Sequence, residues 1–336
     1  MSWNENIPTR YAAAAARMAA ALGQHERLLL AAHAHPDGDA IGALAAVGFL
    51  LRALDRACLL YVQPGIPQDL AFLNMPVQPI TSLQNLPWTP EAVLVLDCGQ
   101  AQRLGSELAR VLPQWPSLNI DHHPGEGLGT LANWIEPEAA ASAQLVAYVA
   151  LAADVPLKGD LAKAVALGLI TDTGGFRHSN TSADVLRLAS HLVDAGCDLP
   201  GLRERLENTW SLGRMRLWGL LMQRVQILRK GSVAFCAVSL DDLAATHTRR
   251  EDLEGFVEQL RQLRGTRVAI LLRQEARDGC KFSLRSCGSV DVRQAAVALG
   301  GGGHRNAAGG ILDLDMAQAQ AVLLAAVSRE LDREQA

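Results

Sequence analysis

The chain has 336 residues, of which 49% are hydrophobic and 20% are charged, and this composition is typical of a globular protein with two domains. Its 31 Lys and Arg residues and 35 Asp and Glu residues give a formal net charge of −4. Because proteins that hold long nucleic acids usually carry a basic surplus, this balance argues against such a partner and favours small phosphorylated substrates or short oligomers.

The first half of the chain alternates apolar segments of strand length with segments of helical periodicity. An Ala-rich stretch from Tyr11 to Leu22 predicts a leading helix rather than a signal peptide, since Arg17 interrupts it. The longest unbroken apolar run begins at Ala40 and stops at Arg52, which is too short to cross a bilayer. Buried strands are predicted in RLLLAAH, ACLLYV, AVLVLDCG and SLNIDHH, and a helix over 40–54. This alternation predicts an α/β domain with a mainly parallel sheet.

Four potential metal ligands lie close together in the segment HAHPDGDA, directly after the first predicted strand. They are His33, His35, Asp37 and Asp39. Turn chemistry explains part of this segment, because Pro36 fixes φ, Gly38 permits positive φ, and Asp39 alone fits the N-cap of the following helix. A turn does not require histidine, so the segment also indicates a binding site.

Metal-capable residues follow two further predicted strands. Asp97 ends one of them, and Asp121, His122 and His123 end the next. Ligands of parallel sheets bind beyond the carboxyl ends of the strands, so we expect at least four of the carboxylates in one crevice. The carboxylates concerned are Asp37, Asp39, Asp97, Asp121 and Asp172.

Such a cluster of carboxylates predicts bound cations. Like charges at ~4 Å repel by several kcal/mol at intermediate dielectric, and two divalent ions would neutralise them. Mixed Asp and His ligands suit Mn²⁺, with Mg²⁺, Co²⁺ or Fe²⁺ as alternatives. A paired metal site is a standard arrangement for phosphoester hydrolysis.

Each of these residues also has a simpler interpretation when it is taken alone. Asp97 fits a turn at a strand end, and a single His122 or His123 would more often be an ordinary polar residue. The joint occurrence of these residues at three strand ends favours the metal site.

The second half of the chain is predicted to contain a helical region followed by a smaller α/β domain. Helices are predicted over 139–153, 159–171, 183–195, 200–208 and 211–228, and the last one is expected to connect two domains. Strands follow in SVAFCAVSL, TRVAILLRQ and CKFSLRS, with helices at 250–262, 291–299 and 316–331. The predicted organisation is a domain over 1–195, a helical linker over 196–228 and a smaller domain over 229–336.

A Gly-rich segment, GGGGHRNAAGG, follows the helix predicted at 291–299. Backbone N–H groups in such a loop can approach an anion closely. A flexible helix C-cap with a turn is the alternative, but one or two glycines would satisfy it. An arginine at the end of KFSLRS is placed to approach the same loop. The candidate phosphate-binding residues are Arg285, Gly301, Gly302, Gly303, His304 and Arg305.

Taken in order, these motifs resemble those of the DHH phosphoesterase superfamily. The motifs are HAHPDGDA (33–40), VLDCG (95–99), DHHPG (121–125), LITDTGGF (169–176) and LGGGGHRNAAGG (299–310). The last of them is similar to the signature of the DHH-associated C-terminal domain. The resemblance covers about residues 26–315 and implies a metal-binding catalytic domain followed by a substrate-binding domain.

The resemblance also implies two metal ions that share one carboxylate. One ion would be held by His33, Asp37 and Asp97, and the other by Asp39, Asp97, His122 and Asp172. Asp121 would orient a histidine, and His123 would lie near the scissile phosphate as a hydrogen-bond donor or acid. No ligand role is assigned to His35.

The activity that the resemblance implies is hydrolysis of very short RNA, dinucleotides foremost, to mononucleotides, with release of the 3′-phosphate from pAp as a second activity. Arg285 and His304 would contact the terminal phosphate or nucleotide, whereas Arg305 could simply be solvated. An inorganic pyrophosphatase or polyphosphatase of the same superfamily is the alternative enzyme. A nucleotide-binding protein with a dead site is the alternative outside enzymes.

The remaining expectations concern location and assembly. The six cysteines show no C-x-x-C spacing and indicate thiols in a reducing compartment, so we expect a cytoplasmic protein. Because the longest apolar run is too short to cross a bilayer, we expect no membrane partner. A homodimer follows only from family analogy, since the apolar helices over 139–228 could equally form intramolecular core.

Overall fold

The computed structural model describes residues 7–208 and 210–335, and the chain forms two compact units that divide between Thr209 and Trp210. Each unit has its own sheet and its own hydrophobic core. Residues 1–6, which belong to the predicted first domain, lie outside the described residues. Within the described ranges, no helix combines the length and the apolar character needed to reach across a membrane.

The first unit contains a five-stranded parallel sheet in the order β2-β1-β3-β4-β5. The predicted mainly parallel α/β domain is therefore confirmed. Its elements in chain order are α1 (Thr9–Gly23), β1 (Arg27–Ala31), α2 (Gly38–Ala53), β2 (Ala57–Tyr61), β3 (Ala92–Leu96), α3 (Ser106–Val111), β4 (Ser117–Asp121), β5 (Ala132–Ile135), α4 (Ser142–Ala152), α5 (Gly159–Asp172), α6 (Ala183–Asp194) and α7 (Leu199–Glu207).

Apolar side chains cover both faces of this sheet. Leu28 and Leu30 of β1 pack into the large core formed with α1, α2, α4 and α5. Leu29, on the opposite face, packs with Leu104 and Leu108. Strands that are buried on both faces read as continuous apolar runs, which explains why the strand patterns were predictable. Polar side chains can then be accommodated at the strand ends, where the candidate site lies.

The second unit contains a six-stranded mixed sheet in the order β10-β11-β9-β8-β7-β6, in which β7 and β8 form the parallel pair. One face packs against α11 and α12, and the other against α8 and α10. The elements are α8 (Leu212–Gln223), β6 (Gln226–Leu228), β7 (Val233–Val238), α9 (Leu240–Thr246), α10 (Phe256–Arg261), β8 (Val268–Ala276), β9 (Gly279–Ser286), α11 (Val292–Val297), β10 (Gly302–His304), β11 (Ala307–Leu312) and α12 (Met316–Gln335).

Two predicted elements of this region are wrong in part. The helix predicted over 211–228 stops at Gln223, because residues 226–228 pair with β7 as an edge strand. The Gly-rich segment is a β-hairpin rather than a loop, since β10 pairs antiparallel with β11. The two units divide inside the predicted linker 196–228, so α7 belongs to the first unit and α8 to the second. The predicted domain limits stay a prediction.

Candidate active site

Histidine and aspartate side chains converge where β1, β3 and β4 end. The His33 group consists of His33, Asp37 and Asp97, and the His122 group of Asp39, His122 and Asp172. Within each group, one ligand atom from every residue lies within 4.8 Å of the others. The six residues predicted as metal ligands are therefore close together, although they come from four separate segments of the chain. His35 belongs to neither group.

The first loop presents its two aspartates differently. Asp37 is the N-cap of α2, because its Oδ1 accepts hydrogen bonds from the backbone N–H groups of Asp39 and Ala40, both at 3.1 Å. The N-cap interpretation of Asp39 is therefore wrong. The other oxygen of Asp37, Oδ2, lies 3.8 Å from Nε2 of His33. His35 has a φ of 54° and an exposed side chain.

His33 and His122 are held in the same way. Nδ1 of His33 lies 3.0 Å from the carbonyl oxygen of Ala34, and Nδ1 of His122 lies 3.3 Å from that of Ala139. If Nδ1 carries the proton of the neutral ring, Nε2 becomes the free lone-pair donor, which is the usual arrangement for a metal-ligating histidine. Both Nε2 atoms are buried and have no hydrogen-bond partner among the described residues. These two nitrogens fit a pair of divalent ions.

Asp97 lies between the two groups. Its Oδ2 is 3.5 Å from Nε2 of His33, and its Oδ1 is 3.5 Å from Nε2 of His122. The residue is 1% exposed and follows β3 with a φ of 52°, a backbone conformation that is uncommon outside glycine and often found at functional sites. One oxygen of Asp97 therefore faces each group, which fits the predicted bridging ligand.

Asp39 is fully buried at the junction of three helices. The backbone N–H groups of Ser142 and Ala143, which begin α4, donate to its Oδ2 at 2.5 Å and to its Oδ1 at 2.9 Å. A side chain at Gly168 would not fit, because its Cβ would lie 2.3 Å from Oδ1 of Asp39. The glycine lets α5 approach α2, and α5 ends at Asp172.

Asp121 contacts the histidine at its own strand end. Its Oδ1 accepts hydrogen bonds from the backbone N–H of His123 at 3.0 Å and from Nδ1 of His123 at 2.8 Å. Asp121 is fully buried, whereas the His123 side chain is 42% exposed. A Cβ at Gly99 would lie 2.9 Å from Oδ2 of Asp121, so a larger residue there would shift this carboxylate. The orienting role of Asp121 stays a prediction, and this contact supports it.

His123 also lies close to the metal-capable residues. Together with Asp97 and His122 it forms a further group of suitable geometry, and its Nδ1 is 3.6 Å from Oδ1 of Asp97. The same Nδ1 is much closer to Asp121. Nδ1 of His123 therefore contacts Asp121 rather than Asp97, which supports the predicted position of His123 just outside the two ligand sets.

The carboxylates strongly affect the histidines. Burial lowers the pKa of His33, but the nearby carboxylates of Asp37 and Asp97 outweigh burial and raise it to about 10. Burial likewise opposes the charge on His122, and its carboxylate neighbours, Asp172 first, raise its pKa to about 9. Both histidines therefore lie in a strongly negative environment, which is the environment that a divalent cation prefers.

The pKa values of the clustered aspartates shift in different directions. Burial would raise the pKa of Asp37, but the neighbouring ring of His33 lowers the value to about 2. Burial and the neighbouring charges of Asp97 and Asp172 raise the pKa of Asp39. Among the described residues, each ion-pair partner of the clustered carboxylates is a histidine rather than Lys or Arg. The cluster therefore contains more acid than its own side chains neutralise, and cations would complete it.

In the second unit, the candidate phosphate-binding residues lie on the Gly-rich hairpin and beside it. Arg285 of β9 is opposite Ala307 of β11, and Ala307 is opposite His304 of β10. Directly opposed residues point to the same face of a sheet, so Arg285 and His304 share a face two strands apart, about 10 Å. Arg285 also donates from Nε to Oε1 of Glu258 at 2.7 Å.

A cavity of about 560 Å³ lies beside Arg285. Three basic side chains from the sheet line it, together with one basic and several acidic side chains from the segment that precedes and includes α10. These residues include Arg250, Arg273, Lys281, Arg285, Glu251, Glu254 and Glu258. The volume is within the range of small-ligand sites, and the mixed charge suits a ligand with both an anionic group and hydrogen-bond donors.

The glycines of the hairpin have different roles. A Cβ at Gly301 would lie 2.3 Å from the carbonyl oxygen of Gly309, and one at Gly303 would lie 2.5 Å from that of Ala307. These two glycines are therefore required by strand pairing. Gly302 has open space where a Cβ would be. Arg305 is in the turn and donates from Nη2 to the carbonyl oxygen of Ser289 at 2.7 Å.

Two residues of the site were missed in the sequence. The Ser142 hydroxyl donates to Oδ1 of Asp97 at 3.0 Å, and Nδ2 of Asn180 donates to the carbonyl oxygen of Asp172 at 3.0 Å. Ser142 lies in the Ala-rich segment AAASAQ, and Asn180 lies in a turn segment where asparagine is common. Neither residue has a recognisable signal in the local sequence. Ser142 contacts a residue 45 positions away, and Asn180 contacts a backbone carbonyl oxygen, which every residue has.

Comparison with known proteins agrees with this architecture. The N-terminal domain of the DHH family matches residues 27–169, and the DHHA1 domain matches residues 232–332. A bifunctional oligoribonuclease and PAP phosphatase NrnA from Thermus thermophilus is 34% identical over 308 residues, which cover 91% of this chain and 90% of that protein. The protein of the same name from Bacillus subtilis is 24% identical and covers 85% of this chain and 89% of its own length.

A solved structure shares the fold. The crystal structure of an exopolyphosphatase-related protein from Bacteroides fragilis matches with a TM-score of 0.84 and 23% identity, over 95% of this chain and 96% of that one. The order of the motifs, the two domains and the extended similarity to NrnA proteins agree with one another. The chain therefore belongs to the DHH phosphoesterase family, in the NrnA-type branch that combines a DHH domain with a DHHA1 domain.

Proposed function

We propose that this protein is a metal-dependent phosphodiesterase that hydrolyses short oligoribonucleotides, dinucleotides foremost, to mononucleotides, and that it also removes the 3′-phosphate from pAp. The observation that carries the proposal is the convergence of six potential ligands into two groups, with one oxygen of Asp97 facing each. The names of the NrnA relatives support the choice of substrates.

The ligand sets follow from the two groups. His33, Asp37 and Asp97 would hold one divalent ion, and the His122 group together with Asp97 would hold the other. When bound, the ions would activate water and neutralise charge on the phosphate. We propose Mn²⁺, with Mg²⁺ or Co²⁺ as alternatives, because the ligands combine carboxylate oxygen with imidazole nitrogen.

We assign the proton-transfer role to His123. Its Nδ1 is held by Asp121, so Nε2 is the ring nitrogen available to the substrate. His123 protonated at Nε2 would donate that proton to the leaving oxygen. Asp121 would stabilise the positive charge of the ring before the transfer. The half-exposed position of His123 suits contact with a substrate, while the buried Asp121 provides a fixed anchor.

We assign substrate binding in the second unit to Arg285, Gly301, Gly302, Gly303, His304 and Arg305. Arg285 and His304 lie in one row across the sheet, so both can reach an anion above the same face. The adjacent cavity accepts a ligand of nucleotide size rather than a long polymer. A requirement for one terminal nucleotide would restrict the enzyme to short substrates.

The test is hydrolysis of a ribodinucleotide by the wild type and by Asp97→Ala in the presence of Mn²⁺. We expect Asp97→Ala to lose activity by about 10³-fold or more, because both ligand sets lose the carboxylate that they share. Asp69→Ala, which removes an exposed carboxylate from a short 3-10 helix, is the matched control. An Asp97→Ala enzyme with near-normal rate contradicts the bridging ligand.

A substrate series separates this activity from the alternatives. Wild-type enzyme is given oligoribonucleotides of increasing length, pAp and inorganic pyrophosphate. We expect turnover to fall steeply with length and pyrophosphate to be a poor substrate. The pyrophosphatase alternative is not favoured, since four relatives that each match more than four fifths of this chain are named as NrnA proteins. Absence of turnover on every substrate would favour the binding protein.

Location and assembly remain part of the proposal. Five of the six free cysteines are buried, which suits the reducing cytoplasm that we propose. The homodimer is a prediction that light scattering of the purified protein would test.

A further inference from the structure

Ser142 contacts carboxylates of both metal groups. It is the first residue of α4 and is fully buried. Its backbone N–H donates to Oδ2 of Asp39 at 2.5 Å, and its hydroxyl donates to Oδ1 of Asp97 at 3.0 Å. The residue thus connects Asp39 of the His122 group with Asp97, whose two oxygens face one group each.

The hydroxyl acts on one particular oxygen of Asp97. Oδ1 faces His122 and accepts the Ser142 hydrogen bond, while Oδ2 faces His33. A carboxylate can rotate about its Cβ–Cγ bond, because this terminal torsion is broad. A fixed donor on Oδ1 restricts the rotation and keeps Oδ1 directed at the His122 group while Oδ2 faces the His33 group.

We propose that Ser142 is a positioning residue that sets the orientation of Asp97 between the two metal positions and thereby supports the ion of the His122 group. This inference rests on the proposed function, since it needs two ions that share Asp97. The hydroxyl also stabilises the negative charge on Oδ1. It therefore offsets part of the repulsion among the buried carboxylates of Asp39, Asp97 and Asp121 before an ion binds.

Substitution of Ser142 isolates the hydroxyl. Ser142→Ala leaves the backbone N–H groups on Asp39 in place, so the change is confined to the hydrogen bond on Asp97. The His122 group faces Oδ1 and should be affected most. Residues that orient metal ligands commonly change metal affinity by about 10–100-fold when they are replaced.

The experiment is titration of metal-free protein with Mn²⁺ by calorimetry, followed by electron paramagnetic resonance at two equivalents. We expect the wild type to bind two ions with the spectrum of a magnetically coupled pair. Ser142→Ala should bind one ion almost normally and the other about 10–100-fold more weakly, so the signal of uncoupled Mn²⁺ should appear. Ser142→Thr, which keeps the hydroxyl, should restore the coupled spectrum.

Ser117→Ala is the matched control. Ser117 is equally buried and its hydroxyl donates to the carbonyl oxygen of Leu128 at 3.0 Å, but it begins β4 whereas Asp121 ends the strand, about 13 Å away. We expect this variant to bind Mn²⁺ as the wild type does. Its loss of thermal stability should be at least as large as that of Ser142→Ala, because the Ser117 hydroxyl also accepts a hydrogen bond from the backbone N–H of Thr130 at 3.0 Å.

Several results overturn the proposal. They are wild-type Mn²⁺ affinity in Ser142→Ala, equal weakening of both ions, and the same weakening in Ser117→Ala. A Ser142→Ala protein that did not fold would also overturn it, because the hydroxyl would then support the fold itself. A wild type that binds fewer than two ions, or that does not hydrolyse a dinucleotide, instead rejects the proposed function.

Discussion

The chemistry of the candidate site is fixed by contacts of single side chains with the backbone. His33 and His122 each direct Nδ1 to a carbonyl oxygen, and Asp39 accepts two backbone N–H groups. Backbone atoms do not move when a side chain changes its rotamer. Hydrogen bonds to them therefore give these side chains a defined direction without a bound ion. Asp121 is different, because its main partner is the ring of His123.

Asp121→Asn tests whether the carboxylate acts through His123. The amide would retain a polar group of similar size, but it would favour the wrong ring tautomer and remove the charge that stabilises a protonated ring. We expect kcat to fall by roughly 10²–10⁴-fold with a small change in KM, by analogy with other carboxylate–histidine pairs. Steady-state kinetics of the variant with a dinucleotide would measure this.

The double variant Asp121→Asn/His123→Ala provides the control. If Asp121 acts through His123, Asp121→Asn adds little to the loss of activity that His123→Ala causes alone. Additive losses would show that Asp121 has a separate role. Titration with Mn²⁺ should give two ions for Asp121→Asn, since neither ligand group contains this residue.

At the level of secondary structure, small residues bring the ligand-bearing helices together. Gly168 of α5 lies against Asp39 of α2 and Ala143 of α4, and a Cβ there would be 2.3 Å from Oδ1 of Asp39 and 2.5 Å from the Ala143 methyl group. The helices can therefore approach closely at the depth of the carboxylates. The position of Asp172 at the end of α5 depends on the same approach.

Gly168→Ala should separate these helices. The added methyl group overpacks a buried junction, so we expect a loss of about 1–3 kcal/mol in the free energy of unfolding and weaker binding of Mn²⁺. Urea denaturation and calorimetry would measure the two effects. Normal stability together with normal binding would contradict the close approach.

Gly219→Ala is the matched control for this prediction. Gly219 is exposed inside α8, and a Cβ there meets no atom within 4 Å. The same substitution should therefore stabilise the protein slightly, by about 0.5–1 kcal/mol, because alanine favours a helix. Opposite signs for the two glycines would show that the effect at Gly168 comes from packing.

The Gly-rich hairpin permits a further separation of fold from binding. Gly302→Ala adds a methyl group in open space, so stability should change by less than about 0.5 kcal/mol while KM for the dinucleotide rises. Gly303→Ala should instead cost about 1–3 kcal/mol, because it has a φ of 137° and its Cβ would meet the opposite strand. An unchanged KM for Gly302→Ala would argue against a substrate contact at this position.

The strands and helices differ in how far the sequence predicted them. β1 and β3 were predictable because each is an almost wholly buried apolar run, and a ligand motif follows directly after each of them. β4 alternates polar and apolar residues, and it too ends at a ligand motif. β5 was missed because it is an edge strand with only Trp134 buried. The hairpin was misread as a loop because glycine is rare in strands. The glycines are explained only by the close contact between the backbones of β10 and β11.

The site was predictable to the extent that its residues carry their own signal. Histidines and aspartates at successive strand ends indicate a shared crevice, whereas Ser142 among alanines does not. Its contact with Asp97 joins residues 45 positions apart, so it depends on the packing of α4 against the sheet. The predicted roles of Asp121 and His123 needed the family resemblance as well as the residues.

At the scale of the whole molecule, each unit has a complete core and a separate task in the proposed function. The first unit has the ligand groups, and the second has the hairpin and the cavity. Bound ions should therefore affect the stability of the two units unequally. Because ligands stabilise only the folded form that binds them, removal of the ions should act on the first unit.

Chelation tests this division. When Mn²⁺ is present at about 100 times its dissociation constant, each bound ion should stabilise the first unit by about 2.7 kcal/mol, and EDTA should remove this contribution. Hydrogen exchange with mass spectrometry should show faster exchange in peptides from 27–169 and little change in those from 232–332. Equal acceleration in both regions would contradict independent units, and the Asp97→Ala protein should show no response to EDTA.

The N-termini of α2 and α4 have a consequence for how the protein acquires its ions. Asp37 caps α2, and Asp39 accepts the first N–H groups of α4, so the positive ends of two helix dipoles meet the acidic cluster. These dipoles are part of the fold and offset charge before any cation arrives. We therefore expect the chain to fold before it binds metal, so that the divalent ions available around the folded protein, rather than those present during synthesis, would decide which metal it uses.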